Sequence, residues 1–216
     1  MFPIKDHHPS GKFPFINLGL IFTNIYIFFK ELTVVDLDAY INTYALIPQN
    51  VDFSRPETLT VFITSLFLHA GFLHILSNMW FLWIFGDNVE ARLGHVKYLV
   101  FYLFCGIAAS FGQYIFISNS ALPMIGASGA IAGVLGAYLH FFPKSNIDTI
   151  VPIFGLPTIL AIPASFMLIY WFITQAFSGV ASIVVATASV GGVAYIAHAA
   201  GFLSGLIFSL FFTPRK

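Results

Sequence analysis

The stretch Ala-Ser-Gly-Ala-Ile-Ala-Gly-Val-Leu-Gly-Ala-Tyr-Leu-His-Phe-Phe, residues 127–142, decides which solvent this chain is built for. It carries no Asp, Glu, Lys or Arg, and small residues recur at helical spacing: Gly129 and Gly133, with Ala132 and Gly136 extending the row. Small-xxx-small rows let helices approach one another closely in lipid. Reading outward for apolar runs of about 20 residues gives six, at roughly 13–29, 60–85, 98–117, 127–142, 159–178 and 192–212. Composition agrees, because 8% of the residues are charged, where a soluble domain has about a quarter. With 58% hydrophobic residues and a mean hydropathy of +0.89, a water-soluble fold is excluded. The expectation is an all-α membrane protein, one six-helix bundle over residues 1–216.

The first run follows Lys5 and Lys12, as a signal peptide's apolar segment follows its charged start. Phe28-Phe29-Lys30 offers no small-residue cleavage site, so the run reads as a span. An even number of spans puts both termini on one side. That side gathers Lys5, Lys12, Arg92, Lys97, Lys144, Arg215 and Lys216, and leaves Lys30 and Arg55 opposite. Positive charge stays inside, so both termini are expected in the cytoplasm. The outer loop 30–59 holds Glu31, Asp36, Asp38, Asp52 and Glu57 and connects the first two spans.

Several function classes drop out. Zero net charge leaves no basic face for nucleic acid. The lone cysteine, Cys105, rules out an intramolecular disulfide and a thiolate zinc centre. No span contains a clear Asp or Glu, and no inverted pair of broken helices is visible, which argues against a transporter or channel.

Polar side chains inside spans are expensive and therefore informative. Four stand out: His74, Asn78, Ser128 and His198. Ser128 opens the fourth span on the outer side, and His198 lies about 9 Å into the sixth at 1.5 Å per residue. The rows Gly129–Gly133 and Gly201–Gly205 would bring these two helices close enough for a short serine to reach an imidazole. A hydroxyl becomes a nucleophile when an adjacent base takes its proton, and a neutral histidine suits that task. No carboxylate accompanies His198, so the pair reads as a Ser–His dyad. His74 and Asn78 share one helical face at i and i+4. With the Ser128 amide they would make an oxyanion hole.

These residues resemble the rhomboid family of intramembrane serine proteases over about residues 60–208. The motifs fall in order: His69-x4-His74-x3-Asn78; Gly86-x3-Glu90-x3-Gly94 in the loop that follows; Gly126-Ala127-Ser128-Gly129; the glycines behind it; and Ala197-His198-x2-Gly201-x3-Gly205. The resemblance implies a six-helix fold with an outward cavity, Ser128 as nucleophile, His198 as general base and His74 and Asn78 at the oxyanion positions. It implies transmembrane protein substrates cut near a small residue, with no metal or ATP. A bacterial plasma membrane is the expected location, with the site opening to the non-cytoplasmic side.

Two positions depart from the family pattern: Thr60-Val61 stands where members often have Trp-Arg, and Ala132 stands where some place an aromatic ring against the catalytic histidine. The first keeps an alternative open, a catalytically inactive relative that binds membrane helices. The fifth span, rich in Phe166, Tyr170, Trp171 and Phe172, is expected to be a movable gate, and residues 179–191 a flexible apolar flap.

Overall fold

A computed structural model describes residues 1–184 and 194–212. In chain order the elements are β1 (Phe2–Asp6), α1 (Phe15–Glu31), α2 (Leu37–Tyr44), α3 (Val61–Thr64), α4 (Phe72–Leu93), α5 (His95–Ile117), α6 (Ser128–Phe141), β2 (Asn146–Ile153), β3 (Leu156–Pro163), α7 (Ala164–Val184) and α8 (Tyr195–Ser209). The fold is mostly helical, and its centre is the stretch the sequence reading began from. Every residue of α6 from Gly129 to Tyr138 is buried, packed among α4, α5, α7 and α8.

Glycine makes that centre possible. A Cβ on Gly205 would lie 1.9 Å from the Gly133 carbonyl oxygen, and one on Gly136 would lie 2.1 Å from that of Phe202. The backbones of α6 and α8 are therefore in direct contact along the two small-residue rows. Gly133 also leaves room for Cys105 of α5, whose Cβ would be 2.4 Å away.

By length and composition two helices among the described residues are fit to cross a membrane, His95–Ile117 and Ala164–Ser182, with a third if a bent pair counts as one span. That pair corrects the run expected at 60–85. Residues Pro56–Phe67 form short helical turns, and the chain then bends by 83° into Phe72–Leu93. The straight helix therefore begins at Phe72 and continues through Gly86 and Glu90, which lie on α4 and not in a loop. Glu90 is buried there, and its carboxylate accepts the amides of Ile16 (2.9 Å) and Asn17 (2.7 Å) at the start of α1. His95 also binds the carboxylate. The motif is a clamp between α1 and α4, with Gly86 making space for the Asn17 side chain.

A three-stranded antiparallel sheet in the order β1-β2-β3 is the second correction, since an all-α chain was expected. The fifth run starts as strand: Ile153 pairs with Leu156 across the two-residue turn Phe154-Gly155, and helix begins only at Ala164. Both turn residues have positive φ, 51° and 82°, as a tight hairpin requires. Of the segment expected to be a flap, residues 179–184 belong to α7, and 185–191 lie outside the described residues.

The loop 30–59 is anchored without Trp-Arg. Leu46 and Met124 exchange backbone hydrogen bonds, the Gln49 amide donates to Ser120, and Thr64 donates to the Tyr44 carbonyl. Phe53 and Phe62 pack edge-on against Tyr114 of α5. These contacts hold this loop against the segment that leads into Ser128.

Candidate active site

Ser128 is the first residue of α6, and no side chain caps the helix's opening amides. His198 is the fourth residue of α8, where Gln113 of α5 accepts the neighbouring Ala197 amide at 3.1 Å. The contact between helices brings the two together: the Ser128 Oγ lies 2.8 Å from His198 Nε2. At Gly201, one turn beyond His198, a Cβ would sit 2.1 Å from the carbonyl oxygen of Gly129, the residue after Ser128. The glycine row therefore sets the hydrogen bond directly.

His74 and Asn78 stand on one face of α4 and meet the segment entering α6 at Gly126. A Cβ there would lie 2.8 Å from His74 Cε1 and Nε2 and 3.8 Å from Asn78 Nδ2. Gly126 also has φ of +121°, which L side chains rarely adopt. The Ala70 amide donates to His74 Nδ1 at 3.3 Å, so that nitrogen is the acceptor and a neutral ring carries its proton on Nε2, toward Gly126. Asn78 is buried with no hydrogen-bond partner for its Nδ2. A buried amide N–H without a partner is costly and marks a group held for something else. A small cavity of about 30 Å³ reaches Ser128 between Ser65, Ser110, Met124 and Gly126, room for a water molecule.

Two residues of this site escaped the sequence reading. On α7, Gln175 Oε1 lies 2.8 Å from His198 Nδ1, and the Trp171 ring stacks on the imidazole, with centroids 5.9 Å apart and planes at 30°. They stand at i and i+4, so one face of α7 covers the histidine. This accounts for Ala132: the ring support comes from α7 instead of α6. The signal available in the sequence was a glutamine one turn after a tryptophan in an uncharged run. His69 is buried away from the dyad, its amide donating to Glu31 at 3.2 Å, and its ring stands edge-on to His74. Among the described residues no group of three or more His, Cys, Asp or Glu could hold a metal ion.

A family model described as the Rhomboid domain matches residues 56–215. The chain is 41% identical over 78 residues to the rhomboid protease GluP of Bacillus subtilis (strain 168), 36% of this chain and 15% of that protein. It is 39% identical over 77 residues to the putative rhomboid protease YdcA of the same organism, 36% of this chain and 38% of that one. Similarity extends to presenilin-associated rhomboid-like protein A, mitochondrial, of Danio rerio, at 30% over 99 residues, 45% of this chain and 26% of that protein. The chain thus spans less than two fifths of each of these relatives.

Proposed function

The chain belongs to the rhomboid family, and on that premise we propose that it is an intramembrane serine endopeptidase acting through Ser128 and His198. The observation that carries the reading is the 2.8 Å contact between Ser128 Oγ and His198 Nε2, with His74 and Asn78 both close to Gly126 two residues before the serine. His198 Nε2 takes the hydroxyl proton as Oγ bonds to the scissile carbonyl carbon. The negative charge moves onto the carbonyl oxygen, where His74 Nε2–H, Asn78 Nδ2–H and the Ser128 amide donate to it. The proton then passes from His198 to the leaving amine, the C–N bond breaks, and an acyl ester remains on Ser128. Water, deprotonated by the same imidazole, hydrolyses the ester.

Helix lengths support action within the bilayer. The 14 residues of α6 cover about 21 Å at 1.5 Å per residue, against a hydrocarbon core of about 30 Å. If α6 reaches the cytoplasmic face, Ser128 lies some 9 Å below the outer one. In this reading α1, α4, α5, α6, α7 and α8 are the six spans, both termini are cytoplasmic, and the site opens outward. The substrates are transmembrane proteins whose helix yields at a small residue, in a bacterial plasma membrane.

The test is covalent labelling of detergent-solubilised protein by a fluorophosphonate. Wild-type protein should label, and Ser128→Ala and His198→Ala should not, while all three unfold at similar temperatures. Full labelling of Ser128→Ala removes the nucleophile assignment; a folded wild type that no serine probe labels favours an inactive relative.

A further inference from the structure

We propose that Gln175 is the positioning residue of His198, standing where a carboxylate stands in a catalytic triad, and that a one-way chain of hydrogen bonds on α7 sets its orientation. The inference rests on the Ser128–His198 reading above.

A histidine that accepts a proton at Nε2 must carry its own on Nδ1 beforehand, and the partner of Nδ1 decides the tautomer. Here the partner is an amide, which offers an oxygen or an NH2 depending on its orientation. Thr174 decides which. Its hydroxyl donates to the Trp171 carbonyl at 2.7 Å, so it has spent its proton and faces Gln175 as an acceptor. Gln175 Nε2 points at that hydroxyl oxygen, at 3.4 Å. The amide oxygen is thereby left for His198 Nδ1–H, and Nε2 of the ring is left with its lone pair toward the Ser128 hydroxyl. Every donor in the series Ser128, His198, Gln175, Thr174 points the same way and ends on a backbone carbonyl. Trp171 adds a flat wall that resists rotation of the ring about its bond to Cβ.

The environment explains why an amide fills this place. No Asp, Glu, Lys or Arg occurs between Asp148 and Arg215, so α7 and α8 carry no charge. The titratable groups near the ring are His74 on α4, across the site, and Tyr195 on α8 itself, edge-on at 6.4 Å. Ser128 of α6, Gln113 of α5 and Gln175 of α7 are neutral. A carboxylate at 175 would be an uncompensated charge in a span, which is costly; a neutral amide supplies the acceptor without it.

The experiment measures inactivation by a fluorophosphonate across pH 5–9, separating the limiting rate from the probe's half-saturating concentration. Thermal unfolding of each variant is followed alongside. Gln175→Leu should lower the limiting rate about 10- to 100-fold, the range one hydrogen bond to a reacting imidazole controls, with half-saturation unchanged. Gln175→Glu should restore much of the rate and move the acidic limb of the profile to higher pH by about one unit or more, since a carboxylate beside Nδ1 favours imidazolium. Thr174→Val should cost a smaller factor, because the amide is then free to turn. A Gln175→Leu protein that reacts like wild type while Ser128→Ala is inert overturns the positioning role and leaves the nucleophile assignment standing. So does loss of rate in both Gln175 variants with an unmoved acidic limb, which marks a packing role. Equal reaction of Ser128→Ala removes the dyad itself.

Discussion

Gly201→Ala tests whether the glycine rows, rather than the dyad's own hydrogen bond, hold Ser128 and His198 together. The new Cβ would lie 2.1 Å from the Gly129 carbonyl oxygen, 3.0 Å from that carbonyl carbon and 3.2 Å from the Ala109 Cβ. Ordinary contact begins at 3.4 Å, so the helices must part by about 1.3 Å at this level. Two of the three obstacles are backbone atoms, which no rotamer change removes. His198 precedes the glycine by three residues and Ser128 adjoins Gly129, so most of the opening falls on the 2.8 Å contact and carries it beyond hydrogen-bond reach. A displacement of about 1 Å at a reacting pair is enough to lose about 100-fold in rate, and overpacking of this kind destabilises a fold by about 1–3 kcal/mol. The assay is the rate of fluorophosphonate labelling per folded molecule, with thermal unfolding in the same detergent. The control is Gly19→Ala on α1, where a Cβ meets nothing within 4 Å and both readouts should match wild type. A Gly201→Ala protein that labels at the wild-type rate refutes the reasoning, whether or not its stability falls.

Three further outcomes follow from the structure. Asn78→Ala removes a buried amide whose Nδ2 has no partner, so labelling should fall by about 10²–10³-fold while the unfolding temperature holds or rises; a stability loss with intact labelling assigns Asn78 to packing. Burial pushes the Asp6 carboxyl up to about 6, against the hydrogen bond from Tyr138 and with the charge of Asp87 raising it further. Because the folded state then binds the proton more tightly, the contribution of Asp6 to stability is fully present below about pH 4 and is lost as pH rises through about 6. The difference in unfolding temperature between Asp6→Asn and wild type should therefore grow in favour of the variant over that window, and a difference that shrinks contradicts the burial argument. At the hairpin tip Phe154 is fully exposed and Leu156 largely so; a nitroxide on Phe154→Cys, with the native Cys105 buried and inert, should in liposomes be relaxed more by oxygen than by a water-soluble nickel chelate, and the reverse would place the tip in water.

How much of this was legible follows from what each signal measures. Small residues at intervals of four, Gly129–Gly133 and Gly201–Gly205, report close helix approach because nothing larger fits: the structure places a backbone carbonyl of α6 where the missing Cβ of Gly201 or Gly205 would be, and a side chain of α5, Ala109 or Cys105, where that of Gly129 or Gly133 would be. His74, Asn78, Ser128 and His198 stood out because polar atoms are rare in lipid. Hydropathy alone erred wherever the backbone departs from helix within an apolar run. The segment Ile150–Ile162 is as apolar as a span, yet the two positive-φ residues at its middle make it a hairpin, and Phe at the first of them hides the turn that Asn-Gly would have announced. At 60–85 the run is continuous in composition, but Gly71 breaks it and the bend divides it. Gln175 and Trp171 were legible only in part: a polar residue in an uncharged run was visible, its partner 23 positions away was not.

On the proposed function, the placement of Gln175 and Trp171 constrains how a substrate would reach Ser128. Helix α7 is the least enclosed of the long apolar helices, with 22% of its span buried, and Phe166, Ile169, Tyr170 and Ile173 face outward. On packing alone it is therefore held by fewer contacts than α5. Yet the same helix supplies the acceptor for His198 Nδ1 and the ring that walls the imidazole, and its Phe172 stacks on Phe202 of α8 at 4.9 Å. Any rigid displacement of α7 away from α8 removes both supports at once and leaves a base that has lost its fixed tautomer. A path to Ser128 that opened by wholesale movement of α7 would thus disarm the site it exposes. The geometry instead favours entry that leaves residues 171–175 in place, or chemistry that waits until the helix has closed again over the bound segment.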